Sequence, residues 1–562
     1  MRRIWLDSYP PGVPADIAPL EHASLCELFE RSCARHRDRP AFACMGATLT
    51  FGALERRARE FSAYLQKDAG LRRGERIAIM LPNLLQYPVA LFGALCAGLV
   101  VVNVNPLYTA AELEQQLTDS GARAIIVLES FAHTLERALE TSPVRHVITT
   151  QPGDLLPSPR RWAINLGAKY VKRIVPPWHI GGAVGLRQAL SRGRRHALER
   201  PPVGRDDIAF LQYTGGTTGS PKGATLTHGN LLANVAQTQA WGHATLRDGQ
   251  EIVVTALPLY HVFALTANLL LFVALGGRNL LIPDPRNLSA MLAELRRIPF
   301  TAITGVNTLY RALLDAPSFA RVCAANRGAL RLAVAGGMAV QPEVAERWQR
   351  ATGVPLVEGY GLTEASPNVC ANPFVAREFS GKLGLPLPST EVAILDERGS
   401  ELQLGEQGEI CVRGPQVMRG YWNREQDSAE AFTPQGWLRT GDVGRMDARG
   451  YLEFVDRKKD VIVVSGFKAY PTEIEEVALR CPGVLDAGAV GVPDVRSGEA
   501  VALFAVRSDP ALGAEQLRRY CAQYLTGYKL PTHVEFRSAL PKNPLGKVLR
   551  RRLREEWTSA HG

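Results

Sequence analysis

The densest set of groups able to hold an anion lies in one run, Tyr213-Thr214-Gly215-Gly216-Thr217-Thr218-Gly219-Ser220-Pro221-Lys222-Gly223. Glycines let the backbone adopt positive φ and approach a ligand closely. Successive backbone N–H groups in such a loop form a concave anion site. The Thr and Ser hydroxyls add donors, and Lys222 adds a mobile positive charge. The run follows a short apolar segment, Ile208-Ala209-Phe210-Leu211, that reads as a buried strand, and a helical segment starts near His228. A surface loop rich in small polar residues is the plainer alternative. The spacing is not that of a Walker A loop, which needs Gly, four residues, then Gly-Lys-Ser/Thr. Here Lys222 follows Pro221 and precedes Gly223-Ala224, so phosphate would be handled differently from a P-loop enzyme.

Further stretches carry chemistry that could act with it. Glu358-Gly359-Tyr360-Gly361-Leu362-Thr363-Glu364 places a ring between glycines, then a hydroxyl and a carboxylate. Tyr360 can lie against a flat base, and Thr363 can reach phosphate. Glu364 offers a hard oxygen suited to Mg2+ shared with phosphate. A turn with Thr363 capping a helix would use the same residues. Thr440-Gly441-Asp442 puts a carboxylate on a tight turn, where it can accept both hydroxyls of a ribose; alone, the tripeptide is common. His261 stands before an apolar helical run, where a lone histidine is usually a core or surface residue. Lys547 lies in Pro541-Lys542-Asn543-Pro544-Leu545-Gly546-Lys547-Val548-Leu549-Arg550-Arg551, a basic tail run of the kind that is normally a solvated face. In Ser465–Glu475, Thr472 and Glu475 have the spacing of a capping box.

Taken together and in this order, from Phe42 to Arg551, these runs resemble the motifs of the adenylate-forming (AMP-binding) superfamily. The resemblance rests on aromatic-Thr-Ser/Gly-Gly-Thr-Thr-Gly-x-Pro-Lys-Gly at Tyr213, Tyr-Gly-x-Thr-Glu at Tyr360 and the lysine motif around Lys547. Within the superfamily the chain is similar to bacterial long-chain fatty-acid–CoA ligases, through Gly436–Asp460, Met80–Val89 and Leu525–Lys529. Arg439 departs from the usual His or small residue, without touching a catalytic role. The resemblance implies ATP and CoA as substrates beside the fatty acid, Mg2+ as cofactor, and two steps through an acyl-AMP. It implies a nucleotide site of Tyr213, Thr214, Gly215, Gly216, Thr217, Thr218, Gly219, Lys222, Gly336, Gly337, Glu358, Gly359, Tyr360, Gly361, Asp442 and Arg457. It assigns the metal to Thr214 and Glu364, catalysis to Lys547, Thr363, Glu364 and His261, a hinge to Lys459, and the pantetheine path to Ser465, Gly466 and Lys468. The same chemistry on medium-chain or aryl acids, or a ligase that stops at acyl-AMP, stays open. A scaffold that has lost catalysis would show eroded motifs, yet Glu364, Asp442, Arg457 and Lys547 are present.

These residues need a frame. From Thr50 onward helical segments alternate with continuous apolar runs such as Arg76–Met80, Val100–Val104 and Ala124–Leu128. Apolar rather than alternating strands imply a parallel sheet covered on both faces. The expected fold is α/β: a large N-terminal domain over 1–455 with parallel sheets, a basic insertion near 155–200 and a small β-barrel-like subdomain near 389–455. A hinge at 456–460 then leads to a small mobile α+β domain over 461–562.

Composition is that of a globular protein, with 46% hydrophobic and 21% charged residues in 562. Nine cysteines form no CxxC pair and no Cys/His cluster, which argues against a disulfide framework or structural zinc and fits a reducing cytoplasm. The N-terminus has no apolar core of a signal peptide. The runs Val89–Val102 and Leu265–Leu275 fall short of the ~18 residues of a membrane span. The charge of +10 is concentrated: Arg160–Arg200 holds ten Lys/Arg and one acid, Glu199, among Trp162, Leu166, Tyr170, Val171 and Ile174. That window reads either as a peripheral contact with the inner face of a membrane or as a solvated excursion. No recognition motif supports nucleic acid as a partner; a homodimer is compatible with the sequence.

Overall fold

The computed structural model describes residues 3–561 apart from 215–220, 495, 544 and 545. The chain forms two compact units. The larger takes in Tyr9–Glu391 and Arg413–Phe432 and is built on two sheets. The seven-stranded sheet runs Val184–Gly185, His146–Thr150, Ala124–Leu128, Arg76–Met80, Val100–Asn103, Ile208–Thr214, Lys222–Thr227. Its strands are parallel until the last, which returns antiparallel on Ile208–Thr214. The nine-stranded sheet has a parallel centre from Leu356–Gly361 to Pro40–Cys44, and antiparallel strands close both edges. The parallel centres are as expected; the sheets as a whole are mixed, because short connections at their edges can only make antiparallel pairs.

Continuous apolar runs become strands buried on both faces: every residue of Val100–Asn103 and Ala124–Leu128 is buried. Helix limits follow local chemistry. Thr109 and Glu112 cap helix Ala110–Ser120 reciprocally, and Gly121 ends it at φ 63°. One cysteine expectation is overturned. Helix Leu25–Arg35 stacks Phe29 on Phe92 of helix Gln86–Cys96, with ring centroids 4.0 Å apart, and this brings Cys26 against Cys96 in a disulfide. A pair separated by 70 residues leaves no local spacing to read.

In the basic window, helix Arg160–Leu166 continues into a wide turn over Gly167–Val171. Asn165 accepts from the Gly153 N–H at 2.7 Å and Ala168 is buried. Trp162, Leu166 and Tyr170 point outward at four-residue intervals, and Val171 is 81% exposed.

The smaller unit takes in Met1–Ser8, Val392–Val412 and Thr433–Gly562. A four-stranded sheet runs Glu391–Leu395, Gly408–Arg413, Leu438–Met446, Leu452–Arg457, an open order where a barrel-like closure was expected. A second sheet centres on Gly498–Arg507, which pairs antiparallel with Val484–Asp494 and Ile462–Val464 and parallel with His533–Phe536. Helix Pro471–Leu479 starts with Tyr470 as cap and Pro471 in its first turn, so the Thr472–Glu475 capping box is absent; both side chains turn to Arg550 instead.

Candidate functional site

In the larger unit the candidate residues collect where parallel strands end. Gly336 pairs with Gly359 in register. A Cβ on Gly336 would lie 3.0 Å from the Phe263 ring, and one on Gly361 would lie 2.1 Å from the Pro367 carbonyl oxygen. The glycine after buried Tyr360, Gly361, is thus required by backbone packing. Gly337 sits at φ 78°. Glu358 accepts from the Val340 N–H through Oε1 at 3.1 Å, and Oε2 is buried without a hydrogen bond. Burial pushes its carboxyl up to about 7. Two residues before Phe263, His261 accepts from the Phe263 N–H through Nδ1 at 3.3 Å. Burial of its ring pushes its pKa down to about 4, so the imidazole is neutral at physiological pH.

Thr363 and Glu364 form a tight turn after the Tyr360 strand. Tyr421, which the sequence reading missed, donates its hydroxyl to Glu364 Oε1 at 2.8 Å. Burial and that carboxylate hold the phenol well above its usual range. The Lys222 ammonium stands 5.4 Å from the Tyr421 ring centre and pairs with Asp427, also missed. Gly420-Tyr421-Trp422 looks like an ordinary turn in sequence; Ala224 bridging to Tyr421, the Trp422 N–H donating to the Gly223 carbonyl at 2.8 Å and the Met418 N–H donating to the Glu364 carbonyl at 2.8 Å bring it here.

Thr214 faces Lys222 across the ladder. Tyr213 donates to Asp119 Oδ2 at 2.5 Å and its ring covers Gly223, so its side chain braces the hairpin. Gly215, Gly216, Thr217, Thr218 and Gly219 lie outside the described residues.

In the smaller unit, Asp442 and Arg457 are register partners, with Nε 3.3 Å from Oδ1. Asp442 is buried and follows Gly441 at φ 71°. Lys547 belongs to the same cluster. Its own N–H donates to Asn543 Oδ1 at 2.9 Å, and Gly546 at φ 82° turns the loop. Burial, then the charges of Arg457 and Arg550, push its pKa down to about 8, against the pull of Asp442 and Asp460. Lys459 lies in the turn after Arg457. Ser465 and Gly466, at φ 49° and 84°, cap the hairpin of Ile462–Val464 and Phe467–Ala469. Space is open where a Gly466 side chain would stand. Lys468 reaches Glu397 at 3.0 Å, in an exposed ion pair. The structure therefore unites Lys547, Asp442 and Arg457 in one unit. In the other it unites Lys222 with Glu364 through Tyr421, and Gly336, Gly359 and Tyr360 with His261 through Phe263.

In the smaller unit a carboxylate beside an arginine and a half-buried lysine with a lowered pKa can hold hydroxyls and stabilise charge at phosphate; in the larger, a glycine-framed tyrosine offers its ring to a flat base. The AMP-binding enzyme family matches residues 29–422, and the AMP-binding enzyme C-terminal domain matches residues 473–547. A long-chain-fatty-acid–CoA ligase of Salmonella typhimurium is 54% identical over 556 residues, covering 99% of this chain and 98% of that protein. The crystal structure of ATP-bound MatB from Rhodopseudomonas palustris superposes with a TM-score of 0.78 at 27% identity, covering 96% of this chain and all of that one. The o-succinylbenzoate CoA synthetase of Bacillus subtilis, in complex with an acyl-adenylate, gives 0.75 at 28% identity over 94% and 97% of the two chains.

Proposed function

The chain belongs to the AMP-binding enzymes, and from that premise we propose that it activates long-chain fatty acids to acyl-CoA with ATP. The observation that carries the reading is the half-buried Lys547, held with a lowered pKa beside Asp442 and Arg457. The relative at 54% identity supplies the acid class.

In the first step a fatty carboxylate oxygen attacks the α-phosphorus of ATP, the bond to the β-phosphate breaks, and pyrophosphate leaves. Asp442 accepts the ribose hydroxyls, Tyr360 lies on the adenine, and Lys222 faces the departing phosphates. The Lys547 ammonium neutralises charge developing on the α-phosphate, with Thr363 donating. His261, neutral, lines the carboxylate side. Among the described residues no group of three His, Cys, Asp or Glu could hold a metal. Glu364 with the Thr214 hydroxyl still fits the way Mg2+ is held jointly with phosphate. When bound, Mg2+ supplies positive charge to the phosphates.

In the second step the sulfur of CoA attacks the acyl carbonyl and AMP leaves. A turn about Lys459, dividing the smaller unit at 456–460, would withdraw Lys547 and bring the open face at Gly466 forward. Lys547→Ala tests the assignment. Acyl-AMP formation should fall by about 100-fold or more, while thioester formation from supplied acyl-AMP persists; unimpaired adenylation would sink the reading. A rate profile across long-chain, medium-chain and aryl acids tests the substrate.

The outward stripe of Trp162, Leu166 and Tyr170, flanked by Arg161, Lys169, Lys172 and Arg173, supports peripheral contact with the cytoplasmic face of an anionic membrane. No helix among the described residues is long and apolar enough to cross one.

A further inference from the structure

Arg550 gathers partners from three parts of the smaller unit. Its guanidinium donates to Asp456 Oδ1 at 2.8 Å, to Asp460 Oδ2 at 3.2 Å and to Thr472 Oγ1 at 3.0 Å. Two nitrogens reach Glu475, at 2.9 and 2.7 Å. Arg550 is largely buried, and Asp456 is wholly so. Glu475 also accepts from the Ala489 N–H at 2.8 Å.

These partners fall on both sides of Lys459. Asp456 belongs to strand Leu452–Arg457, whose last residue faces Asp442. Asp460, Thr472 and Glu475 lie beyond Lys459, as do Lys547 and Arg550, three residues apart on one segment. The bonds to Asp460, Thr472 and Glu475 therefore stay on one side of the hinge, and the bond to Asp456 crosses it.

We propose that the Asp456–Arg550 ion pair is a latch that holds the Lys547 loop beside Asp442 and Arg457 for adenylation and must open for thioester formation. Breaking a buried pair is costly when it leaves a bare charge. Here neither charge is left bare. Arg550 keeps Glu475, Asp460 and Thr472, and Asp456 keeps the Arg457 N–H at 2.7 Å; its bond from the Thr472 N–H, also 2.7 Å, crosses the hinge and opens with the pair. The latch can thus open without unfolding its surroundings. Asp456 and Arg550 are positioning residues, acting through Lys547.

The latch presupposes the hinge at Lys459. The test measures both half-reactions in the full-length enzyme: ATP–pyrophosphate exchange with a fatty acid, and acyl-CoA formation from supplied acyl-AMP and CoA. Asp456→Asn should slow the first relative to the second by about tenfold. Asp460→Asn, which removes a carboxylate on the moving side, should shift that ratio less. Arg550→Lys should recover part of the adenylation lost in Arg550→Gln. Equal loss in both half-reactions would make the pair a scaffold and overturn the latch, as would an unchanged ratio in Asp456→Asn. If Lys547→Ala abolishes adenylation and Asp456→Asn leaves the ratio unchanged, only the latch has failed. If Lys547→Ala still adenylates, the function reading itself has failed.

Discussion

Two half-buried ionisable side chains tie pH to the site. Lys547 loses its proton as pH rises through about 8. Adenylation that needs the ammonium should decline along an alkaline limb there, while thioester formation from acyl-AMP should not. Lys547→Arg keeps its charge at every working pH. It should be slower than the wild type and show a flat limb; a limb retained in that variant would assign the titration elsewhere. Glu358 is the converse case. Its native carboxyl titrates near 7 and its unfolded one near 4.5. The stability gained by holding that proton is complete below 4.5 and is lost as pH rises through 7. Glu358→Gln should therefore be more stable than the wild type at about pH 8, by up to about 3 kcal/mol, and gain little at about pH 4.5. Denaturant melts at the two pH values check this, and an equal difference at both would refute it.

At the scale of elements, the Tyr360 turn depends on two backbones meeting. A Cβ at Gly361 would stand 2.1 Å from the Pro367 oxygen, and the neighbour is main chain, which cannot swing aside. Gly361→Ala should cost about 1–3 kcal/mol and raise the KM for ATP by displacing Tyr360; an unchanged KM would separate the turn from the nucleotide. Much of this frame was legible. Arg76–Met80 and Ala124–Leu128 match their predicted limits because each is a single apolar run closed by a polar break. Strand Lys222–Thr227 was missed: Lys-Gly-Ala-Thr-Leu-Thr is too polar for a buried run, and its partner, not its pattern, makes it a strand. The motifs carrying Glu364, Asp442 and Lys547 were read directly, being local. Tyr421, Asp427 and the Arg550 cluster were not, since each acts across 57 residues or more of chain and its neighbours carry no periodic signal. Cys26–Cys96 belongs with these misses.

For the whole molecule, the basic window is where charge and exposed apolar surface coincide. Trp162→Ser with Val171→Ser keeps every charge and removes two of the outward apolar groups. That double variant should lose most of its binding to phosphatidylglycerol vesicles, whereas Arg161→Glu with Lys172→Glu should lose it in a salt-sensitive manner. Unchanged partitioning in both would leave a solvated surface helix. The mixed topology has a different consequence, for the order in which a ribosome can complete the fold. The strands of the seven-stranded sheet lie between Arg76 and Thr227, so all of them are available once that stretch has emerged. Pro40–Cys44 is made earlier, yet its parallel partner is Arg278–Leu281. At roughly 5–20 residues per second, the first-made hairpin waits some ten seconds or longer with an apolar edge unpaired. One of the first strands made thus waits for a partner made long after it, which makes Pro40–Thr50 a natural stretch for a chaperone to shield.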